Sequence, residues 1–502
     1  MRAVPPRISE RDGVCDGFWR SALALIAVAS VCTVAATAAA APTTQSRQHV
    51  IATRGTIPLR TGLLDPLFSG PDRQAAFAMT HAAGATYVRL SVPWHAIAPA
   101  EPSPAFVAAD PTSPGYRWIG LDSVVAQAEA AGLTPILNIA GPPAWAYARE
   151  PRGVNAGTPH VAALGQFAAA LATHYDGAVP GTPAAHLFQV WNEPNISLNM
   201  SPVSASAYRN MVNAVSDAVH SVDPNNLVIA GGLAPFGHPK SRKQKWYTVP
   251  PLAYMRSLLC LSKGKHPHRT CRNAVHLDVW SHHPYTFGGP FGHAKNSDDV
   301  SLGDLPKMRA LLRVGARLHQ LISAQPVQFW VTEFGWDTKP PRSHAAPVPL
   351  AARWTAESLY QMWRSGVSLV TWFLLEDYKS PSPYQSGLYF HSDSLADARA
   401  KPVRTAYRFP FVAYLQRKTV TIWGRDGTSD KQVLTIQRRH GTGGGWRTVA
   451  RVRANANGIF RASLKLKAKK KDWLRAVGPG SDRSLAFSLT RPKAPHIGPW
   501  GR

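Results

Sequence analysis

The chain of 502 residues is long enough for more than one domain, and with 45% hydrophobic and 17% charged residues it is not a disordered polymer. Its net charge of +27 is uneven: residues 399–502 hold 24 Lys and Arg against 4 Asp and Glu, the remainder 32 against 25. Such a basic segment can meet an anionic cell-wall polymer, membrane surface or nucleic acid, or simply present a solvated surface.

Residues 21–41 form an uncharged apolar run behind Arg2, Arg7, Arg11 and Arg20, and Ala38-Ala39-Ala40 offers a small-residue cleavage site. Residues 1–41 therefore read as an export signal or an uncleaved membrane anchor, which places the body at the cell surface or outside the cell. Residues 42–56 are polar and read as a linker. Of four cysteines, two lie in or before the leader, which leaves Cys260 and Cys271. In an exported body they are expected to form a disulfide; the rival is a metal site with His266 and His268, whose spacing fits no common zinc pattern. No metal or cofactor is otherwise expected.

From residue 57 a strand–helix rhythm repeats. Strands are expected over 58–64, 85–92, 134–140, 186–192, 226–232, 276–285, 327–336 and 367–375. Between them lie helical stretches such as 121–133, closed by Gly132, and 204–222, capped by Ser204. Eight strands alternating with helices predict a (β/α)8 barrel over 57–411. A doubly wound sheet would require a glycine-rich turn after its first strand, and none is present. Beyond, short alternating segments parted by Gly, Asp and Asn predict a small antiparallel β-sandwich over 412–492, followed by a tail over 493–502.

In barrels of this kind the chemistry sits at the C-terminal ends of the strands. The polar residues there are Arg89, Asn138, Asn192, Glu193, His283, Tyr285 and Glu333, with Trp372 on the last strand. Glu193 and Glu333 are the two acids set at the tips of otherwise apolar strands. Two carboxylates about 5–5.5 Å apart are what retaining glycoside hydrolysis requires, one as nucleophile and one as proton donor.

Trp191-Asn192-Glu193-Pro194, His283-Pro284-Tyr285 and Thr332-Glu333-Phe334-Gly335 together resemble the clan A glycoside hydrolases, in particular the cellulase-like family and the β-xylosidase-like family 39. The resemblance covers roughly residues 57–410. It implies that Glu193 is the acid/base and Glu333 the nucleophile of a retaining hydrolase acting on a β-linked poly- or oligosaccharide. It further implies that Asn192 bonds the sugar 2-hydroxyl, that Tyr285 lies near Glu333 and holds it in place with His283 beside it, and that Arg89 supports the nucleophile's charge. Trp372 matches a sugar platform and Trp145 a subsite wall, while Asn138 stands where many cellulase-like members carry histidine.

Structural roles compete with these assignments: Glu193 or Glu333 as an ion-pair partner of Arg89, and Trp94, Trp145 and Trp372 as core fillers. His282, on the opposite face of its strand from His283, reads as structural. Glu376 and Asp377 read as loop acids, and Glu101, Asp337 and Glu357 as surface acids. The alternative function is a catalytically silent carbohydrate- or wall-binding protein on a barrel scaffold. The expected partners are carbohydrate and, for the basic segment, an anionic cell-wall polymer or membrane surface; nucleic acid is not expected, and the chain is expected to act as a monomer.

Overall fold

The computed structural model describes residues 50–492 except Arg54, Thr56 and 428–430. The leader and the tail after 492 lie outside the described residues. Among the described residues no helix is long and apolar enough to cross a membrane.

Eight parallel strands close into a barrel: β1 (Arg60–Leu64), β2 (Tyr87–Pro93), β3 (Thr134–Ala140), β4 (Leu187–Val190), β5 (Leu227–Leu233), β6 (Val279–His282), β7 (Gln328–Phe334) and β8 (Leu369–Phe373). Each is followed by a helix: α1 (Arg73–Ala82), α2 (Ile119–Ala130), α3 (Val161–His174), α4 (Ala205–Val222), α5 (Pro251–Leu258), α6 (Leu305–Arg317), α7 (Val348–Arg364) and α8 (Pro402–Arg408). Barrel strands are covered on both faces, which is why β4 is buried at all four positions. Ser204 caps α4 by accepting from the Ala207 N–H at 3.2 Å.

Within the barrel, Ile136, Leu187, Ile229, Val279, Trp330 and Leu369 form an apolar cluster separate from the main core. These are inward residues near the strand starts, so they plug the bottom. One pleat higher, β2, β3 and β4 offer Arg89, Asn138 and Gln189.

The expected strand over 276–285 is shorter. Val275–His276 pairs with Leu321–Ile322 in a separate two-stranded sheet, and the barrel ladder stops at His282. The His283 N–H makes the last bond of the ladder, to the Leu233 carbonyl at 3.0 Å, and Pro284 has no N–H to continue it, so Tyr285 lies past the strand at the rim.

The basic segment folds as a β-sandwich. One sheet joins β9 (Phe411–Gln416), β10 (Thr419–Arg425) and β13 (Ile459–Leu464). The other joins β11 (Val433–His440), β12 (Arg447–Arg453), β14 (Asp472–Val477) and β15 (Phe487–Ser488). Its fifth strand falls within the expected linker over 42–56, of which 42–49 lie outside the described residues: Val50–Ala52 is not linker but lies parallel to Arg451–Arg453 and covers the edge of β12. The sandwich is tied to the barrel by Arg425, which is buried and donates to the Leu59 carbonyl at 3.2 Å and to Thr61 Oγ1 at 3.0 Å.

Cys260 and Cys271 form a disulfide after α5, with Cα atoms 5.2 Å apart. Bonded to each other, their sulfurs are not available as metal ligands. Asp337 and Glu357, read as surface acids, are both buried. Asp337 accepts from the Gln385 N–H at 2.6 Å and Glu357 pairs with Arg353 at 3.1 Å. Asp377 lies in the loop after β8, as expected, but is buried, and the buried Lys401 ammonium binds it at 2.8 Å.

Candidate active site

Two irregularities in the barrel wall build the mouth. Along β7 and β8, Val331 pairs with Val370 but Phe334 pairs with Trp372, so β7 carries one residue more than its neighbour. Strict alternation would turn only one of Thr332 and Glu333 inward, whereas a bulge lets both face the mouth. Along β5 and β6 a second shift falls at Gly231 and Gly232, both at positive φ. A Cβ on Gly231 would lie 2.3 Å from the Ser281 carbonyl, and one on Gly232 would press on Gln189 and His283. The Gly232 carbonyl then accepts from the Glu193 N–H at 3.1 Å.

Past β4 the chain takes positive φ at Trp191 (68°) and Glu193 (44°), a conformation non-glycine residues rarely adopt. It is held by the Trp191 indole, which donates to the Asn199 carbonyl at 2.7 Å, and by the bond from Glu193 to Gly232.

Arg89 is the hub, 4% exposed. Its Nε donates to Gln189 Oε1 at 2.9 Å, Nη1 to Glu333 Oε2 at 3.3 Å, and Nη2 to Asn138 Oδ1 at 3.1 Å and Asn192 Oδ1 at 2.7 Å. Because a guanidinium only donates, it fixes both asparagines with their oxygens toward it and leaves each Nδ2 outside that bond. Gln189 is held in turn by donating to the Trp191 carbonyl at 3.1 Å.

The carboxylates have different surroundings. Glu333 sits between the Arg89 cation and the Tyr285 hydroxyl, which donates to its Oε1 at 3.0 Å. Glu193 has His283 Nδ1 at 3.0 Å, and His283 Nε2 lies 3.2 Å from Thr332 Oγ1. Burial pulls the His283 pKa down to about 4, so it is a neutral imidazole at pH 7. Burial pushes Glu193 up to about 7, against the opposing pull of Arg89. Carboxylate oxygens of Glu193 and Glu333 lie within 4.8 Å of each other, and His283 Nδ1 stands between them, 3.0 Å from Glu193 and 3.9 Å from Glu333. Those three ligand atoms could also hold a cation, but Arg89 already places a positive charge on Glu333 and opposes a second one.

Arg89, Asn138, Asn192, Glu193, His283, Tyr285 and Glu333 thus form one connected set. Trp372 does not belong to it, which corrects the expectation of a sugar platform. Leu369 lies in the barrel plug, so alternation along β8 turns Trp372 outward. There it is fully buried against Phe334 and Tyr407, and its indole donates to the Ser386 carbonyl at 2.8 Å. The next residue, Phe373, faces inward, half-buried and edge-on to Tyr378 and Tyr384. The Tyr378 hydroxyl, pushed up to about 12 by burial and then by Asp65, Tyr384 and Glu333, borders the nucleophile side of the mouth.

Trp145 is half-buried, donates to the Pro99 carbonyl at 2.8 Å and packs edge-on to Trp94 and Phe106, joining the loops after β2 and β3. His282 is buried, its Nε2 3.0 Å from the Val300 carbonyl, in the structural place expected for it.

Residues overlooked in the sequence are Gln189, Thr332, Phe373, Tyr378 and Tyr384. A lone amide in the all-buried segment Leu187–Val190 was the available signal for Gln189. For Thr332 and Phe373 the signal depends on register, which only strand pairing reveals.

Comparison with known proteins bears on this geometry. A search of curated proteins gives no match. Among solved structures, a monomeric β-xylosidase from Caulobacter crescentus CB15 shares 16% identity at a TM-score of 0.50, covering 84% of this chain and 100% of that one, which supports the fold. A family 39 enzyme from Xanthomonas axonopodis pv. citri aligns at 16% identity and a TM-score of 0.49, covering 85% and 96% of the two chains. The model of the family described as Cellulase (glycosyl hydrolase family 5) matches residues 56–365, more than half of the chain. The chain therefore belongs to the cellulase family of glycosyl hydrolases, and it is a glycoside hydrolase.

Proposed function

We propose that the enzyme hydrolyses β-glycosidic bonds in a poly- or oligosaccharide with retention of configuration. The observation that carries this is the approach of one oxygen of each carboxylate to within 4.8 Å, which favours the ~5–5.5 Å carboxyl separation of retaining enzymes over the ~6.5–9.5 Å that admits a water in inverting ones. Glu333, paired with Arg89 and Tyr285, is the ionised nucleophile. Its carboxylate attacks the anomeric carbon as the bond to the leaving oxygen breaks, and protonated Glu193 gives that oxygen its proton. In the second step Glu193 takes a proton from water, whose oxygen attacks the same carbon and releases Glu333.

Asn192, its oxygen held by Arg89, offers Nδ2 to the sugar 2-hydroxyl, and Asn138 offers its own Nδ2 beside it. His283 positions Glu193. Trp145 would wall a more distant subsite, and Phe373 with Tyr378 and Tyr384 takes the platform role first expected of Trp372. The enzyme is further proposed to be exported through residues 1–41 and to act as a monomer, with the basic β-sandwich meeting an anionic surface. The monomeric state of the Caulobacter β-xylosidase supports the monomer.

The test uses 4-nitrophenyl β-glycosides. Glu333→Ala is expected to lose more than the ~10⁴-fold that acid–base catalysis alone supplies. Glu193→Gln loses less on such activated leaving groups than on a natural linkage, because nitrophenolate departs without a proton. Azide should rescue Glu193→Ala with a retained glycosyl azide and Glu333→Ala with an inverted one. Unchanged hydrolysis by either variant, or rescue with the opposite stereochemistry, overturns the assignment.

A further inference from the structure

Residues 411–492 carry 18 Lys and Arg against 4 Asp. The described acids are already engaged. Asp472 is held by Arg438 at 2.8 Å and His440 at 2.6 Å, Asp482 by Arg408 at 2.8 Å, and buried Asp426 lies beside Arg425. The excess charge is therefore not paired within the sandwich.

On one face it is also organised. In β14, Asp472, Leu474 and Ala476 are buried, so Trp473 and Arg475 turn to the outer face of the five-stranded sheet. Across the ladder Gln437 pairs with Arg475 and Arg439 with Trp473. The Arg475 guanidinium lies 4.1 Å from the centre of the Trp446 ring; that of Arg439 lies 4.8 Å from Trp446 and 5.6 Å from Trp473. Arg475 Nε is fixed by Gln437 Oε1 at 2.9 Å, while Arg439 Nε is buried with no hydrogen-bond partner. Arg483 stands close enough for Arg475 to feel the charge of both other arginines. Among the described residues no carboxylate forms a salt bridge with any of the three.

Two guanidiniums over an aromatic bed, with a third like charge beside them, leave a concentrated positive field at little cost in water, and an anionic ligand would neutralise it. A guanidinium over an indole face keeps N–H groups at its edge for a bidentate anion. We infer that this face, formed by Arg439 and Arg475 over Trp446 and Trp473 with the charge of Arg483 beside them, is a second carbohydrate site that binds a polysaccharide bearing anionic groups. The site belongs to the sandwich and lies apart from the carboxylates of the barrel mouth. The inference that its ligand is a polysaccharide rests on the hydrolase assignment; charge and geometry alone specify the anion.

The experiment is affinity electrophoresis of the full chain through gels containing polygalacturonate, a phosphorylated mannan or neutral dextran. Retardation is expected in one or both charged gels and not in dextran, and the arm that retards identifies the group as carboxylate or phosphate. Arg439→Gln with Arg475→Gln should weaken the binding by about tenfold or more, while Lys467→Gln with Lys471→Gln, removing the same charge from an exposed loop, should weaken it far less. Equal loss in the two double variants reduces the effect to net charge and overturns the site. So does retention by dextran, or binding to anionic phospholipid vesicles with none to either charged polysaccharide. Absent binding alongside intact aryl-glycoside hydrolysis sinks this inference and leaves the hydrolase assignment standing.

Discussion

Arginine appears in two opposite settings in this enzyme. At the barrel mouth Arg89 is buried, and four side-chain oxygens, one of them from a carboxylate, receive its N–H groups. On the outer face of the sandwich Arg439 and Arg475 share two indoles and one glutamine, with Arg483 beside them and, among the described residues, no acid in a salt bridge to any of the three. A buried cation survives only when fully partnered, and then it holds its partners in place. A cation left unpaired at the surface costs little, because water and salt screen it, and it stays available to a ligand. The same side chain therefore builds a rigid site in one region and a receptive surface in the other.

Of the effects that test this contrast, the largest comes from loosening the partnered arginine. Arg89→Lys keeps the charge but loses the fork that reaches Gln189, Asn138, Asn192 and Glu333 together. Each buried acceptor left without a donor costs about 1–3 kcal/mol. The thermal midpoint should fall, and kcat should drop by about 10²-fold as the nucleophile and Asn192 lose register, with a smaller change in KM. A variant that lost only stability, with kcat unchanged, would reduce Arg89 to a structural ion pair.

The acid side of the mouth is tested by pH. Glu193 has a folded pKa near 7, above its unfolded value near 4.5. As a general acid it must be protonated, so kcat/KM should fall about tenfold per unit above pH 7. The stability sign is opposite to that of a salt-bridged carboxylate. The folded state keeps a proton that the unfolded chain has lost, so stability declines as pH rises from about 4.5 to 7. Glu193→Gln removes that term, and at pH 8 the variant should be the more stable by at most about 3 kcal/mol. Equal pH dependence of the melting temperature in the two proteins would remove the link between burial and acidity.

How much of this was legible in the sequence follows from periodicity. The eight strands and the sandwich were visible because alternation and strand–helix rhythm are local patterns, and both carboxylates stood out as charges at apolar strand tips. What escaped depends on a neighbouring chain. The extra residue in β7 that brings Thr332 inward with Glu333 exists only relative to β8, and the exchange of Trp372 for Phe373 at the mouth is a matter of one position in register. Val50–Ala52 reads as linker because its ladder partner lies some 400 residues away in sequence. The burial of Asp337 and Glu357 is invisible for the same reason, since the groups that satisfy it are set by the folded loops and helices.

The smallest effect tests the receptive surface. Arg439, Arg475 and Arg483 repel one another where water can screen them, so added salt should stabilise the wild type. Arg439→Gln with Arg475→Gln removes the repulsion together with three cation–π contacts, each worth about 0.5–1 kcal/mol at an exposed site. The two terms nearly cancel in the midpoint itself, so the readout is its salt dependence. Between about 0.01 and 0.15 M the screening length shrinks from roughly 30 to 8 Å, and over that range the wild type should gain more than the double variant. Arg89→Lys should shift the midpoint by a similar amount at both ionic strengths, because its partners are in direct contact and shielded from the ions. If salt instead changes the effect of Arg89→Lys and leaves the outer-face variant alone, the assignment of partnered and receptive arginines is reversed.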